Sequence, residues 1–111
     1  MDKSEYRAKL DQITALVNAG DYQNAQTIVD EVDWRRVKSA RTLCMVSEIY
    51  EANERLLDSR KVLELAYKRA LVKTVAYRLV EVCLKLNDLN AAEDYYDDFA
   101  DAMSLIIYGK K

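Results

Sequence analysis

Apolar residues recur along this chain at intervals of three and four, the spacing that places them on one face of an α-helix. In the stretch from Ser4 to Asn18 the apolar face consists of Tyr6, Leu10, Ile13, Leu16 and Val17. The 111 residues include no proline and two glycines, which favours long uninterrupted helices. The pattern predicts an all-α protein of six helices.

Helix starts are predicted from residues that accept hydrogen bonds from the N–H groups of a first turn. The predicted starts are Ser4, Asp21, Ser39, Asp58 or Ser59, Thr74 and a point near Asn90. Gly20 is the predicted stop of the first helix, because glycine adopts the left-handed conformation without steric strain. In the last helix we expect these residues to face inward: Ala92, Tyr95, Tyr96, Phe99, Ala102 and Met103.

Three polar turns recur at a nearly constant interval, beginning at Gly20, Glu54 and Asn87, with spacings of 34 and 33 residues. A large apolar residue follows each turn, and a small residue stands three places later: Ala25, Ser59 and Ala92. A small residue there lets two helices cross at close range. A period of this length indicates stacked antiparallel helix pairs. We expect one domain over residues 1–111, with repeats of about 4–36, 39–71 and 74–108.

With these turns in place, the chain resembles the tetratricopeptide repeat (TPR) family over roughly residues 6–103. The closest stretch is 16–25, with its Gly20-Asp21-Tyr22 turn followed by Ala25. The later repeats match at Val46, Ser47, Tyr50, Ser59, Leu63 and Ala66, and at Leu79, Val80, Cys83, Asn87, Asp88, Leu89, Ala92 and Tyr96. The resemblance implies a right-handed superhelix of three antiparallel helix pairs, a TPR-like α-solenoid.

The family resemblance also implies a non-enzymatic adaptor whose concave groove, lined by the first helix of each pair, receives a partner peptide or helix. The groove residues would be Arg7, Thr14, Arg41, Met45, Glu48, Glu51, Tyr77, Arg78, Glu81 and Lys85. The acidic members would repel a C-terminal carboxylate. A mixed-charge or partly apolar partner segment fits better, and a solvated face with paired charges is the alternative interpretation.

Charge is distributed unevenly about the net value of −2. Residues 34–78 carry eleven basic and five acidic residues, whereas both ends are acidic. The basic residues near the predicted connections between pairs are Arg35, Arg36, Lys38, Lys68, Arg69 and Lys73. This patch supports an alternative function, a nucleic-acid-associated helical protein. The isoelectric point near 5.2 argues against that alternative, because nucleic-acid-binding domains are usually basic overall.

A dense apolar segment precedes the C-terminal Gly109-Lys110-Lys111: Met103, Leu105, Ile106, Ile107 and Tyr108. Three interpretations fit it. It forms a self-association surface, and hence a homodimer through the last helix; or it packs back on the third pair; or it connects to a further domain.

The sequence gives little support for catalysis, cofactor binding or metal binding. The chain has no histidine, and Cys44 and Cys83 lie inside apolar helical patterns typical of core cysteines. Adjacent carboxylates such as Asp97 and Asp98 point in different directions on a helix and do not flank a substrate. We therefore expect no enzymatic activity, no cofactor and no bound metal. No apolar run approaches the roughly 20 residues that span a bilayer, and we expect a cytoplasmic protein.

Overall fold

The computed structural model describes the backbone of residues 2–69 and 73–108, and their side chains except those of 102–108. The described helices are α1 (Lys3–Asn18), α2 (Tyr22–Val29), α3 (Ala40–Ala52), α4 (Leu56–Arg69), α5 (Lys73–Lys85) and α6 (Leu89–Tyr108). A short 3-10 helix, Trp34–Arg36, lies between α2 and α3. The described ranges contain no strand, so the all-α prediction is confirmed.

The helices form three antiparallel pairs, which we call unit 1 (α1 and α2), unit 2 (α3 and α4) and unit 3 (α5 and α6). Each helix packs against the helices before and after it in the chain, so α2 lies between α1 and α3, and α4 between α3 and α5. The resulting body is elongated, with extents of 45 × 33 × 24 Å. The packing order is that of a helical-repeat fold.

The turn inside each unit has the same backbone geometry. Gly20, Glu54 and Asn87 all adopt the left-handed conformation, with φ of 76°, 60° and 61°. The next residue in each turn donates its N–H to a carbonyl five residues earlier at 2.8 Å, giving the bonds Asp21 to Leu16, Arg55 to Tyr50 and Asp88 to Cys83. These bonds satisfy carbonyls at the end of the first helix and direct the chain into the second. The predicted repeat therefore holds even in the turn of unit 2, which lacks glycine.

The three small residues occupy equivalent buried positions. Ala25, Ser59 and Ala92 each follow the left-handed residue by five places and are buried. The hydroxyl of Ser59 donates to the carbonyl oxygen of Ser47 at 3.0 Å, so its polar group is satisfied at the crossing of α3 and α4. A larger side chain at this place would separate the two helix axes.

One apolar core runs through all three units, and polar contacts join its edges. The indole Nε1 of Trp34 donates to the carbonyl of Val29 at 2.9 Å, which anchors the connection between units 1 and 2. The Asn53 amide donates to the Tyr22 carbonyl at 2.9 Å and links the turns of the same two units. Successive units are thus joined by burial and by hydrogen bonds.

Three predicted helix starts differ from the structure. Asp2, rather than Ser4, accepts the Glu5 N–H at 2.8 Å, so α1 starts at Lys3. The fourth helix begins at Leu56, because the left-handed turn leads straight into it and the Arg55 carbonyl already accepts from Ser59. The fifth begins at Lys73, which places Thr74 inside its first turn.

Tyr96 does not face the core as the sequence predicts. Its side chain is exposed, whereas Tyr95 is half-buried and stacks edge-on against Tyr67 of α4 at a centroid distance of 5.3 Å. The equivalent of Tyr96 in unit 2 is Leu63, which is completely buried. The difference arises because unit 3 covers unit 2, while no described element covers unit 3.

The left-handed turns predict a graded response to substitution. We expect Gly20→Ala to lower the free energy of unfolding by about 1 kcal/mol, because a Cβ is strained at this φ although no atom lies within 4 Å of it. Glu54→Gly should raise the free energy by about 0.5 kcal/mol, the relief of strain exceeding the added freedom of the unfolded chain. Urea unfolding measures both. Ala52→Gly, in α3, is the control and should lower the free energy of unfolding. If Glu54→Gly and Ala52→Gly lowered that free energy equally, Glu54 would not be strained by a left-handed conformation.

The buried small residues predict a second effect. Ser59→Leu and Ala25→Leu should each lower the free energy of unfolding by about 1–3 kcal/mol, because the added carbons enter a closely packed crossing. The matched control is Ala8→Leu, at an exposed position of α1. Similar stability of all three variants in thermal unfolding would show that the crossings are not close.

Candidate functional site

Residues that recur at the repeat interval form aligned rows on the first helices α1, α3 and α5. The rows are Arg7, Arg41 and Thr74; Asp11, Met45 and Arg78; Thr14, Glu48 and Glu81; and Asn18, Ala52 and Lys85. Successive rows are three or four residues apart, so they lie one above another along each helix. We call these residues, together with Glu51, the first-helix face.

Side-chain contacts show that the three helices contribute to one continuous surface. Thr14 of α1 places its Oγ1 4.0 Å from the Sδ of Met45 on α3. Arg78 of α5 places its Nη1 3.4 Å from the Oε1 of Glu48, also on α3. Equivalent surfaces of adjacent units therefore meet edge to edge along the stack.

An ion-pair network lies between α3 and α5. Arg78 Nη2 lies 2.7 Å from Glu51 Oε2, and Lys85 binds the other carboxylate oxygen of Glu51. The side chains of Arg78 and Glu51 are only 15% and 20% exposed. The most buried charges of the face thus neutralise one another and hold units 2 and 3 together.

Burial and charge shift the pKa values of groups in this network. Burial raises the pKa of Glu51, but the hydrogen bonds from Lys85 and Arg78 outweigh it and the net pKa is lowered. The same hydrogen bond to Glu51 raises the pKa of Lys85. Burial raises the pKa of the Cys44 thiol, which keeps it protonated and a poor nucleophile. Glu51 and Lys85 are therefore both charged near neutral pH.

The structure brings together most of the predicted groove residues. Six of them share contacts on the first-helix face: Thr14, Met45, Glu48, Glu51, Arg78 and Lys85. Arg7 and Arg41 share one row and are exposed, and among the described residues neither forms an ion pair. Glu81 lies one row from Arg78 and is half-buried. Tyr77 lies apart from the others, its ring 5.6 Å from the ring of Phe99 on α6.

Two features of the surface are absent from the sequence-based set. Asp11 and Asn18 belong to the rows of the first-helix face, and the repeat interval alone would have identified them.

A cleft of about 550 Å³ lies where the start of α1 meets the connection between units 1 and 2, and its apolar residues are Tyr6, Val32 and Val37. Its charged and polar lining is Asp2, Lys3, Glu31, Asp33, Arg36, Lys38 and Ser39. No sequence signal marks this cleft, because it forms between segments about 30 residues apart.

Two arginines of the predicted basic patch have structural partners. Arg35 pairs with Asp33 at 3.0 Å. Arg69, at the end of α4, donates to the carbonyl of Arg35 at 2.6 Å and to that of Val37 at 3.3 Å. The Arg69 bonds fasten unit 2 to the connection before it and occupy donors that could otherwise bind phosphate, while Asp33 offsets the charge of Arg35.

Three further predictions concern the apolar end of α6, membrane-spanning helices and metal sites, and each is considered only for the described residues. The apolar residues Met103, Leu105, Ile106, Ile107 and Tyr108 belong to α6, but their side chains lie outside the described part of the chain. In the parts that are described, no helix has the length and apolar character to cross a membrane. Those parts also hold no group of three or more Cys, Asp or Glu side chains placed to bind a metal ion.

The sequence matches no protein-family model, and a search of curated proteins finds no significant match.

The ion-pair network predicts a pH-dependent contribution to stability. We expect Glu51→Gln to lower the free energy of unfolding by about 1 kcal/mol at pH 7. Because the folded-state pKa of Glu51 lies below its ordinary value of 4.5, this difference should persist above that pH and shrink as the pH falls through the folded-state pKa. Urea unfolding from pH 7 down to about pH 3 measures it. Asp94→Asn, outside the described ion pairs, is the control. If the difference in free energy of unfolding between the wild type and Glu51→Gln grew as the pH fell, the stabilising role of the charged carboxylate would be refuted.

Proposed function

We propose that this chain is a non-enzymatic, TPR-like interaction module of the cytoplasm that binds a peptide or helix of a partner protein along the first-helix face. The observation that carries this proposal is the alignment of equivalent residues from α1, α3 and α5 on one surface, linked by the Thr14–Met45 and Glu48–Arg78 contacts. Repeat stacks typically use such extended surfaces to bind partners. The repeated left-handed turns and buried small residues support the helical-repeat stack on which the proposal rests.

The charges of the face suggest the chemistry of the bound segment. Arg7 and Arg41 form a basic row near the helix starts, and Glu48 with Glu81 forms an acidic row seven residues further on. Seven residues correspond to about 10 Å along a helix. The Glu51 network between α3 and α5 is already neutralised and contributes shape more than charge. A complementary segment carries an acidic residue at the arginine row and a basic residue near the glutamate row.

A charge-reversal experiment tests this proposal. The purified chain captures partners from a cell extract, and a peptide from the most enriched partner is then titrated calorimetrically. Arg7→Glu/Arg41→Glu should weaken the peptide affinity at least tenfold, about 1.4 kcal/mol, because it opposes the acidic residue of the ligand. Lys61→Glu, an exposed charge on α4, is the control and should bind like the wild type. Equal affinities of both variants would exclude the first-helix face as the binding surface.

A further inference from the structure

Large apolar side chains are exposed on the far side of unit 3. Tyr77 and Leu84 of α5 are 52% and 53% exposed, and Leu89 and Tyr96 of α6 are 62% and 57% exposed. Phe99 lies among them, with ring centroids 5.6 Å from Tyr77 and 6.5 Å from Tyr96. We call these five residues the end face. The aromatic contacts join Tyr77, Phe99 and Tyr96 across both helices of the unit. Leu84 lies seven residues after Tyr77, and Leu89 lies seven before Tyr96, so each shares its helix side with that tyrosine.

The equivalent positions in the earlier units are covered by the next unit. Tyr96 corresponds to Leu63 in unit 2 and Val29 in unit 1, and both of these are completely buried. Tyr77 and Leu84 correspond to Cys44 and Glu51, which α5 contacts through the side chains of Arg78 and Lys85. The end face is therefore the side of a unit on which a helix packs, with no helix described there.

The charge around the end face indicates what kind of helix fits. From Leu89 to Asp101, α6 has no basic residue. Glu93 and Asp97 lie beside Tyr96 on the helix surface, whereas Asp98 accepts a hydrogen bond from the hydroxyl of Tyr67 on α4 and faces unit 2. Glu93 occupies the position that Arg60 has in unit 2, where Arg60 pairs with Asp88 of unit 3 at 2.7 Å. The sign of the charge at the unit boundary is thus reversed at the end face. A complementary helix carries lysine or arginine there.

A second copy of the chain fits this surface poorly in either orientation. In a head-to-tail stack, α1 of the second copy would cover the end face. Where α3 has Leu43, Val46 and Ile49 packed in the core, α1 has Lys9, Gln12 and Ala15. In a tail-to-tail dimer Glu93 and Asp97 of both copies would border the shared interface, where their like charges disfavour it. The charge at Glu93 and Asp97 favours instead a basic helix from a different protein.

We propose that the end face docks an amphipathic helix of a partner protein whose apolar stripe is flanked by lysine and arginine. The end face adjoins the first-helix face at Glu81 but shares no residue with it. The chain itself contains a helix of this kind. In α5 the inward residues are Val75, Leu79 and Val82, and the charged residues are Lys73, Arg78, Lys85 and Glu81. That helix covers the equivalent side of unit 2.

A peptide titration tests the proposal with a defined probe. The probe is a synthetic peptide of residues 73–85 with blocked ends, added under reducing conditions to the isotope-labelled chain and followed by NMR. We expect saturable shifts on α5 and α6. The affinity should fall at least fivefold for a control peptide in which Lys73, Arg78 and Lys85 are replaced by glutamate, and should weaken with added salt.

Variants of the chain locate the site. Leu84→Glu/Tyr96→Glu should weaken probe binding at least tenfold, whereas Leu57→Glu, at a position 64% exposed on α4, should leave it unchanged. Glu93→Lys/Asp97→Lys should reverse the preference in favour of the acidic peptide. Arg7→Glu/Arg41→Glu should not change probe binding. Loss of binding at the end face can therefore be distinguished from loss of binding at the first-helix face, on which the proposed function depends.

Three results would overturn the inference. One is the absence of saturable shifts with the wild-type chain at millimolar peptide. Another is a set of shifts that falls on α3 and α4, which would mean that the peptide displaces α5. The third is a dimer in sedimentation velocity that Leu84→Glu/Tyr96→Glu abolishes, because the occupant would then be a second copy.

Discussion

The tight turn between the two helices of each unit is the constraint on which the other features depend. A single left-handed residue ends the first helix, and the hydrogen bond across it returns the chain immediately as the second helix. With so little chain between them, the helices must cross close to the turn, and only a small side chain fits at that crossing. Because this geometry occurs three times, the units share one shape and stack in one register.

The surfaces of the protein follow from that register. Along the stack, equivalent residues of the first helices align, so a row such as Arg7 and Arg41 forms without any direct contact between its members. Between units, the alignment places Glu51 of α3 within reach of two basic side chains of α5, and the Arg78–Glu51 pair is largely shielded from water. At the end of the stack, the same register leaves apolar positions uncovered, which is why the proposed docking surface lies there.

Several features of the fold and the site were accessible before any coordinates. The interval between turns identified Glu54 as a turn residue although its side chain disfavours the left-handed conformation. The same interval would also have identified Asp11 and Asn18, which the groove set predicted from the sequence lacks. Other features were not accessible. The periodicity of α6 does not separate Tyr95 from Tyr96, because both lie near the edge of its apolar stripe. The Arg78–Glu51 pair joins residues 27 positions apart, and no local pattern encodes it.

The sequence alone determined the helical character of the chain, its three turns and the small residues at the crossings, because each depends on interactions within a few residues. The tertiary structure decided which charges are neutralised and which apolar side chains remain exposed, because these depend on whether another unit packs against a given side. At one repeat position Val29 and Leu63 are completely buried beneath the next unit, whereas Tyr96, which no described unit follows, is exposed.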